Sequence, residues 1–176
     1  MSLRIRQLDE SSFENCRPGL IALLIDAVAN GASVGFLADI DGQQANEYFN
    51  GVKSALTSGA LAIWVAEEDA EVLGSVQLSL CLKPNGLNRG EVQKLLVLSS
   101  ARRRGIARLL MQQLEAHARQ LKRGLLYLDT EAGSGAEHLY RELGYTTIGG
   151  LPDYACGPDG QYRANAIYYK ILFRPS

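Results

Sequence analysis

The residues with the clearest chemical potential are three consecutive arginines followed by small residues, Arg102-Arg103-Arg104-Gly105-Ile106-Ala107. They follow a predicted strand at 91–98 and open a predicted helix. The first amides of a helix have no partner within it, and the helix dipole adds positive potential there. Gly105 and Ala107 let a diphosphate approach the backbone, and guanidinium groups suit phosphate oxygens. The segment predicts an anion site, with a solvated basic helix start as the alternative.

Two common phosphate-binding motifs do not account for this segment. The P-loop pattern G-x-x-x-x-G-K-[S/T] does not occur, and the glycine cluster at 133–135 lacks the third glycine of a dinucleotide fingerprint. The net charge of -1 gives no global attraction to nucleic acid or to an anionic membrane. We therefore expect neither a nucleic-acid partner nor a membrane partner.

Apolar periodicity and turn residues predict the elements that hold this segment in place. The order β-α-α-β-β-β-α-β-α-β-β covers 3–8, 9 or 11 to 28, 41–58, 62–67, 72–82, 91–98, 105–122, 125–130, 136–143, 145–148 and 165–173. Pro18 is expected to mark a first turn or a break. The third helix is expected to point Ile106, Leu109, Leu110, Leu114 and Leu121 inward, and 149–164 is expected to be a loop.

The order of these elements predicts an α/β (α+β) fold. The strand, helix and strand over 91–130 fit a parallel crossover, whereas the short turns between the other strands favour antiparallel pairing. The sequence thus predicts a mixed central sheet with helices on both faces, in a single domain over 1–176.

Composition limits the cellular setting and the cofactors. The fractions of hydrophobic residues, 47%, and of charged residues, 21%, are typical of a globular chain. The three cysteines Cys16, Cys81 and Cys156 are far apart and lack histidine partners, so we expect neither disulfides nor a metal site. The N-terminus has no continuous apolar stretch typical of a signal peptide, and no stretch is long enough for a membrane helix. A cytoplasmic protein is expected.

Two segments resemble the GNAT N-acetyltransferase family. The pattern Arg102-x-x-Gly105-x-Ala107 after a strand is similar to the acetyl-CoA pyrophosphate loop of that family, and 136–145 (AEHLYRELGY) is similar to its second cofactor helix. The resemblance implies the GNAT fold and acetyl-CoA as co-substrate. It also implies backbone contacts from Leu96, Val97 and Leu98 to the pantetheine arm, and pyrophosphate contacts from 102–107.

The implied reaction is attack of an amine on a thioester. An alkyl amine with a pKa near ~10 is neutral in about one molecule in ~10³ at pH 7, so a base that collects its proton is useful. The resemblance implies Glu91 as that base, directly or through water, with Asp129 assisting or binding the amine. The alternative is that Glu91 is a solvated strand end and that Asp129 caps a turn.

The family resemblance also implies that Tyr140 protonates the departing thiolate, with a packed core tyrosine as the alternative. Many family members carry an asparagine seven residues before this tyrosine, where it contacts the cofactor. Gly133 stands there in this chain, so we expect Ser134 or local backbone amides to take over that contact.

Further segments resemble the tabtoxin-resistance branch of the family, whose enzymes acetylate a β-lactam amino-acid toxin. These segments are 31–36 (GASVGF), 83–89 (KPNGLNR), 91–94 (EVQK) and 128–134 (LDTEAGS). The resemblance implies a small-molecule amine as acceptor and makes Ser33, Phe36 and Asn88 candidates for binding it. Polar loop residues without function are the alternative for each.

The predicted function is therefore an acetyl-CoA-dependent N-acetyltransferase that acts on a small-molecule amine by direct transfer. Two alternatives remain at this point: acetylation of a protein or peptide amine, and a non-catalytic sensor that binds acyl-CoA. The chain is expected to be a monomer or a homodimer.

Overall fold

A computed structural model describes residues 2–176 of the chain. The strands are β1 (Arg4–Gln7), β2 (Leu61–Glu68), β3 (Glu71–Leu80), β4 (Arg89–Val97), β5 (Leu125–Glu131), β6 (Thr146–Gly149), β7 (Ala155–Cys156), β8 (Tyr162–Arg163) and β9 (Asn165–Ile171). The helices are α1 (Glu10–Ala29), α2 (Gly42–Thr57), α3 (Ile106–Gln120) and α4 (Gly135–Glu142). All the predicted elements are present in the predicted order.

Seven of the strands form one mixed sheet in the order β1-β2-β3-β4-β5-β9-β6. The pair β4–β5 is parallel, and the crossover between these strands is α3. The other five pairs in this sheet are antiparallel. The predicted fold class is confirmed, and the parallel pair lies in the middle of the sheet.

Both faces of the sheet are covered, as the alternation along β2 illustrates. Ala62 and Trp64 point into a core that contains the buried side of α3. Ile63 and Val65 point into a second core that contains α1 and α2. Because successive residues of a strand point to opposite faces, one strand serves both helix layers.

The first two helices begin at capping boxes. The Asp9 carboxylate accepts from the Ser12 amide at 2.8 Å, and the Asp41 carboxylate accepts from the Gln44 amide at 2.8 Å. Such caps satisfy amides that the helix leaves without partners. The expected first turn or break at Pro18 is wrong, because Pro18 lies in the interior of α1. The fully buried Leu20 packs the helix onto the sheet just beyond it, which offsets the lost backbone hydrogen bond.

The buried face of α3 differs in part from the expected one. Leu109 and Leu121 were expected inside, but each is 40% exposed. Met111 and Ala118 are buried instead. The buried stripe follows steps of about four residues from Ile106, and Leu121 lies at the C-cap, beyond the last turn that contacts the sheet.

The segment predicted as a loop at 149–164 contains the small hairpin β7–β8. Ala155 pairs with Arg163, and Cys156 pairs with Tyr162. The Arg163 guanidinium binds the Asp159 carboxylate at 2.6 Å across the turn. Strands of two residues are too short to show an alternating pattern, which is why the prediction missed them.

None of the helices within residues 2–176 is both long and apolar enough to cross a membrane.

Candidate functional site

The central feature of the sheet is a cleft between the two parallel strands. Pairing between β4 and β5 covers only Arg89 with Leu125, Gly90 with Leu126, and Glu91 with Tyr127. Beyond that point β4 continues to Val97 and β5 continues to Glu131. The strands therefore diverge after Glu91, and the edge of β4 that faces β5 has no ladder partner there. Its backbone donors and acceptors are available to a ligand.

A β-bulge in β4 contributes to this divergence. Gln77 of β3 pairs with Gln93, but Ser75 pairs with Leu96, so β4 carries one extra residue between the two pairs. Lys94 lies in this extra length and has a left-handed backbone conformation, with φ 51°. Bulges bend a strand and increase its twist, and a non-glycine residue in this conformation is uncommon.

The cleft contains a cavity of about 580 Å³ that has walls from both sides of the sheet. Residues of the α1–α2 loop and of α2 form one wall, namely 31–35 and Tyr48. Residues next to and in α4 form another wall, namely Ser134, Ala136 and Tyr140. Between these walls, β4 and β5 contribute Glu91 to Leu96 and Asp129 to Glu131. A cavity of this size suits a small-molecule ligand.

Glu91 and Asp129, the two carboxylates predicted for the chemistry, both line this cavity. Glu91 belongs to the last paired position of β4, and Asp129 lies two residues beyond the corresponding pair on β5. The Asn165 amide group donates to Asp129 at 3.4 Å and also accepts from the Leu151 backbone amide at 2.7 Å. Asn165 is only 5% exposed. This contact orients the Asp129 carboxylate, and no local pattern predicts it because the two residues are 36 positions apart in the sequence.

Tyr140 lies on α4 at the wall of the cavity and is buried, with 6% exposure. Its ring packs against Tyr145 and Tyr168, with centroid distances of 5.8 and 6.1 Å. Burial, and next the charge of Asp129, raise the pKa of the Tyr140 hydroxyl above its ordinary value. The hydroxyl therefore keeps its proton across the physiological range. Tyr140 is thus both a packed core tyrosine, as the alternative interpretation had it, and a residue that borders the cavity.

Residues 102–107, called here the arginine-rich segment, lead into α3, and no side chain caps the first turn of this helix. Arg103 and Gly105 both have positive φ, 64° and 76°. Gly105 is the N-cap of α3 and provides no side chain to the first amides. The N–H groups of that first turn therefore have no side-chain cap, and the left-handed residues Arg103 and Gly105 curve the backbone just before them. Such an arrangement of free N–H groups binds anions.

The three arginines differ in their surroundings. The Arg104 guanidinium binds both Glu68 carboxylate oxygens, at 2.9 and 3.0 Å. Arg102 and Arg103 are exposed and form no ion pair with any residue in 2–176. These two guanidinium groups are free to meet an external phosphate, whereas Arg104 already has a carboxylate partner.

Close packing fixes the start of α3 against the sheet. A Cβ atom at Gly74 would lie 3.0 Å from the side chain of Ile106 and 3.2 Å from that of Leu110. The glycine therefore lets the helix approach β3. Before the helix, the Asp26 carboxylate of α1 accepts from the Ser99 amide at 2.8 Å and from its hydroxyl at 2.7 Å. These contacts set the direction of the arginine-rich segment.

The two residues expected to replace the missing asparagine differ in availability. The Gly133 amide donates to the Glu137 carboxylate at 2.6 Å, so it already has a partner. Ser134 lines the cavity, and its hydroxyl lies 3.3 Å from the Thr130 hydroxyl. Ser134 therefore borders the cavity, whereas Gly133 does not.

Only one of the three predicted acceptor-side residues borders the cavity. Ser33 lines it. Phe36 instead packs edge-on against Tyr48, with a centroid distance of 5.5 Å. The Asn88 carboxamide accepts from the Gly124 amide at 3.0 Å and so links the starts of β4 and β5. Phe36 thus supports the cavity wall and Asn88 the strand pair, and neither is among the lining residues.

Lys94 lines the cavity, although the sequence predicted no individual role for it within the segment 91–94. Its side chain is half-buried, and its Nζ lies 5.7 Å from the centre of the Tyr48 ring. Burial lowers the pKa of Lys94, although the charges of Asp129 and Glu91 act in the opposite direction. Lys94 lies at the bulge, which depends on pairing with β3 and is therefore not visible in the local sequence.

Residues 2–176 contain no cluster of three or more His, Cys, Asp or Glu side chains suited to a metal ion.

Residues 37–145 match the family model described as the Acetyltransferase (GNAT) family. This stretch is more than half of the chain. It contains β4, β5, the arginine-rich segment and all of α4, including Tyr140.

Solved structures with a similar fold include three named as acetyltransferases. A ribosomal-protein-alanine N-acetyltransferase from Brucella melitensis has 26% identity and a TM-score of 0.80, covering 96% of this chain and 99% of the other. A putative acetyltransferase from Salmonella typhimurium, solved with acetyl-CoA, has 17% identity and a TM-score of 0.82, with coverage of 100% and 97%. A putative phosphinothricin N-acetyltransferase has 18% identity and a TM-score of 0.78, with coverage of 98% and 100%.

Proposed function

The chain belongs to the GNAT family of acetyltransferases and uses acetyl-CoA as its acetyl donor, and we propose that it transfers the acetyl group directly to the amine of a small molecule. Transfer takes place in the cleft between β4 and β5, without a covalent enzyme intermediate. The observation that carries this proposal is the divergence of the two strands after Glu91 and Tyr127, next to an open helix start with two unpaired arginines.

The proposed acetyl-CoA site runs along β4 and into α3. The backbone of Leu96 and Val97 pairs with the pantetheine arm, because the edge of β4 that faces β5 lacks a ladder partner there. Leu98, which was also predicted to take part, follows β4, and its amide and carbonyl already bond to Leu73 and Ala101. The amides of the first turn of α3, from Gly105 to Ala107, bind the pyrophosphate. Arg102 and Arg103 add charge-assisted hydrogen bonds. Arg104, which is already paired with Glu68, contributes charge more than contact.

Glu91 is the proposed base, directly or through one water molecule. It removes a proton from the acceptor ammonium, the amine nitrogen then forms a bond to the acetyl carbon, and the carbon–sulfur bond breaks. Asp129, held by Asn165, binds the amine or assists the proton transfer. Tyr140 gives its proton to the departing thiolate, the resulting tyrosinate recovers a proton from the acetylated nitrogen, and Glu91 releases to solvent the proton that it took. Burial supports the donor role of Tyr140 because it keeps the hydroxyl protonated.

The acceptor is proposed to be small because the cavity has walls on several sides. The α1–α2 loop with Ser33 lies along one side, and Tyr154 and Arg163 of the hairpin region lie along another. Among small amines, we propose a β-lactam amino acid of the tabtoxinine type or a related amino acid, on the strength of the segments that resemble the tabtoxin-resistance branch. One of the similar structures is named as a putative phosphinothricin N-acetyltransferase, which gives phosphinothricin as the acceptor of that protein.

A panel of amines tests the proposed function. Wild-type protein is incubated with acetyl-CoA and amino acids, polyamines, aminoglycosides or β-lactam amines, while thiol release and product mass are followed together. The proposal expects one of these classes to give both free CoA and an acetylated product. Binding of acetyl-CoA without any transfer would contradict it and favour a sensor.

A second candidate is acetylation of the N-terminal amine of a protein. The similarity to the ribosomal-protein-alanine N-acetyltransferase favours it. A peptide that begins with alanine therefore belongs in the same panel. Faster transfer to this peptide than to all small amines would replace the proposed acceptor class.

A further inference from the structure

Lys94 is a cation in the cavity that lacks a carboxylate partner. No carboxylate oxygen within residues 2–176 lies within 4.0 Å of its Nζ, in contrast to Lys53 and Lys170, which bind glutamates at 2.6 and 2.8 Å. The half-buried ammonium group instead lies over the Tyr48 ring. A charge held away from water without a close partner favours an anionic ligand.

The other charged residues of the cavity are two carboxylates near Lys94 and one arginine that already has partners. Glu91 and Asp129 provide negative charge close enough to act on Lys94, without contacting it. Arg163 also lines the cavity, but its guanidinium is bound to Asp159 at 2.6 Å and approaches Glu131 at 3.6 Å. Among the lining residues that the structure describes, Lys94 is therefore the cation that remains for a ligand.

A ligand that carries only an amine does not match this arrangement. Its ammonium group would be attracted by Glu91 and Asp129 but repelled by Lys94. A ligand with an amine and a carboxylate satisfies both signs at once, because its ammonium faces the carboxylates and its own carboxylate faces the lysine.

We propose that Lys94 binds a carboxylate of the acceptor, so that the enzyme selects amines that carry a carboxylate over amines that do not. This inference rests on the proposed function, because it assigns the acceptor of the same cleft. Lys94 then acts as a specificity residue, and its position follows from the bulge that places one extra residue in β4 opposite Gln77 and Ser75. Tyr48 and the α1–α2 loop close the same side of the cavity.

The alternative role for Lys94 is an electrostatic effect on the carboxylates Glu91 and Asp129, without contact to the acceptor. In that case the lysine would alter turnover of every acceptor to a similar extent. Carboxylate binding, by contrast, affects only acceptors that have the carboxylate, and it affects KM more than kcat.

The experiment compares an amino-acid acceptor with its own carboxamide, which keeps the amine and removes the negative charge. The proteins are the wild type, Lys94→Met, Lys94→Arg and the control Lys83→Met, which replaces an exposed lysine outside the cavity lining. The wild type is expected to prefer the acid by at least about tenfold in kcat/KM. Lys94→Met is expected to lose this preference through KM, and Lys94→Arg to recover part of it, while Lys83→Met matches the wild type.

Equal use of the acid and the carboxamide by the wild type would overturn the inference and leave the acetyltransferase proposal intact. An equal loss with both acceptors in Lys94→Met, with its acetyl-CoA affinity and thermal unfolding unchanged, would also overturn it. Calorimetric binding of the same pair in the presence of CoA separates the two proposals. Tighter binding of the acid by wild type than by Lys94→Met, without any acetyl transfer, would support the role of Lys94 and contradict the proposed function.

Discussion

Glu91 and Tyr127 form the last pair of the parallel ladder between β4 and β5. At this position the sheet changes from a closed structure to an open cleft. The carboxylate proposed as the base therefore lies where backbone groups of β4 first become available to a ligand. The same relationship connects the cofactor and the chemistry, since the strand proposed to pair with acetyl-CoA is the strand that carries Glu91.

Binding of acetyl-CoA is expected to slow amide hydrogen exchange in β4 beyond Glu91 and in the first turn of α3. Backbone pairing with the pantetheine arm protects the former, and pyrophosphate binding protects the latter. Hydrogen exchange with mass analysis of peptides measures both. A peptide that covers Arg4–Gln7 in β1 serves as the internal control, and protection there in place of the cleft would contradict the assignment.

Replacement of Arg102 and Arg103 by serine is expected to weaken acetyl-CoA binding. Both guanidinium groups lack ion pairs within the described part of the chain, so their hydrogen bonds to phosphate are lost outright. The double variant is expected to raise the Kd about tenfold or more, which corresponds to roughly 1.4 kcal/mol or more. The matched variant Arg104→Ser should have a smaller effect because this arginine is bound to Glu68. Titration calorimetry measures the Kd of the wild type and of both variants. An effect of Arg104→Ser as large as that of the double variant would argue against the assignment.

Tyr140→Phe is expected to lower kcat by roughly 10²-fold while the Kd of acetyl-CoA changes little. The substitution removes only the proton donor, a group whose contribution is typically ~10²–10⁴-fold. Tyr145→Phe is the matched control, because Tyr145 is also buried but is absent from the cavity lining. Steady-state kinetics checks both, and a normal kcat for Tyr140→Phe would leave Tyr140 as a packed core tyrosine.

Asn165→Ala is expected to lower the free energy of unfolding by about 1–3 kcal/mol. The substitution leaves the Leu151 amide without the carboxamide oxygen that it binds at 2.7 Å. It also releases Asp129, so KM for the acceptor should rise. Urea denaturation measures the first effect, with the exposed Asn85→Ala as control. Unchanged stability and unchanged KM would mean that Asn165 does not position Asp129.

The sequence predicted the elements well because each one has a local cause. Capping residues such as Asp9 and Asp41 start helices wherever they precede an apolar stripe, and the predicted ends lie within two residues of the observed ones. Leu121 was misplaced because the stripe was extended past the turns that contact the sheet, whereas Leu109 lies in the first turn, beside the buried stripe of Ile106, Leu110, Leu114 and Ala118. The hairpin at 155–163 was missed because two-residue strands have no periodicity to detect.

The site was less predictable because its key features are not local. The bulge at Lys94 depends on pairing with Gln77 and Ser75, and the contact of Asn165 with Asp129 joins two strands that are far apart in sequence. Phe36 and Asn88 were assigned by resemblance, which identifies a segment but not the direction of each side chain. Structure alone separates the residues that border the cavity from those that support its walls.

The most direct test of the proposed mechanism is kcat of Glu91→Gln with the best amine of the panel. The variant keeps the size of the side chain and removes the base. We predict a fall of about 10²-fold or more, with the Kd of acetyl-CoA unchanged and with normal activity of the exposed control Glu71→Gln. Turnover equal to that of the wild type would show that Glu91 is not the base and would contradict the proposed mechanism at its centre.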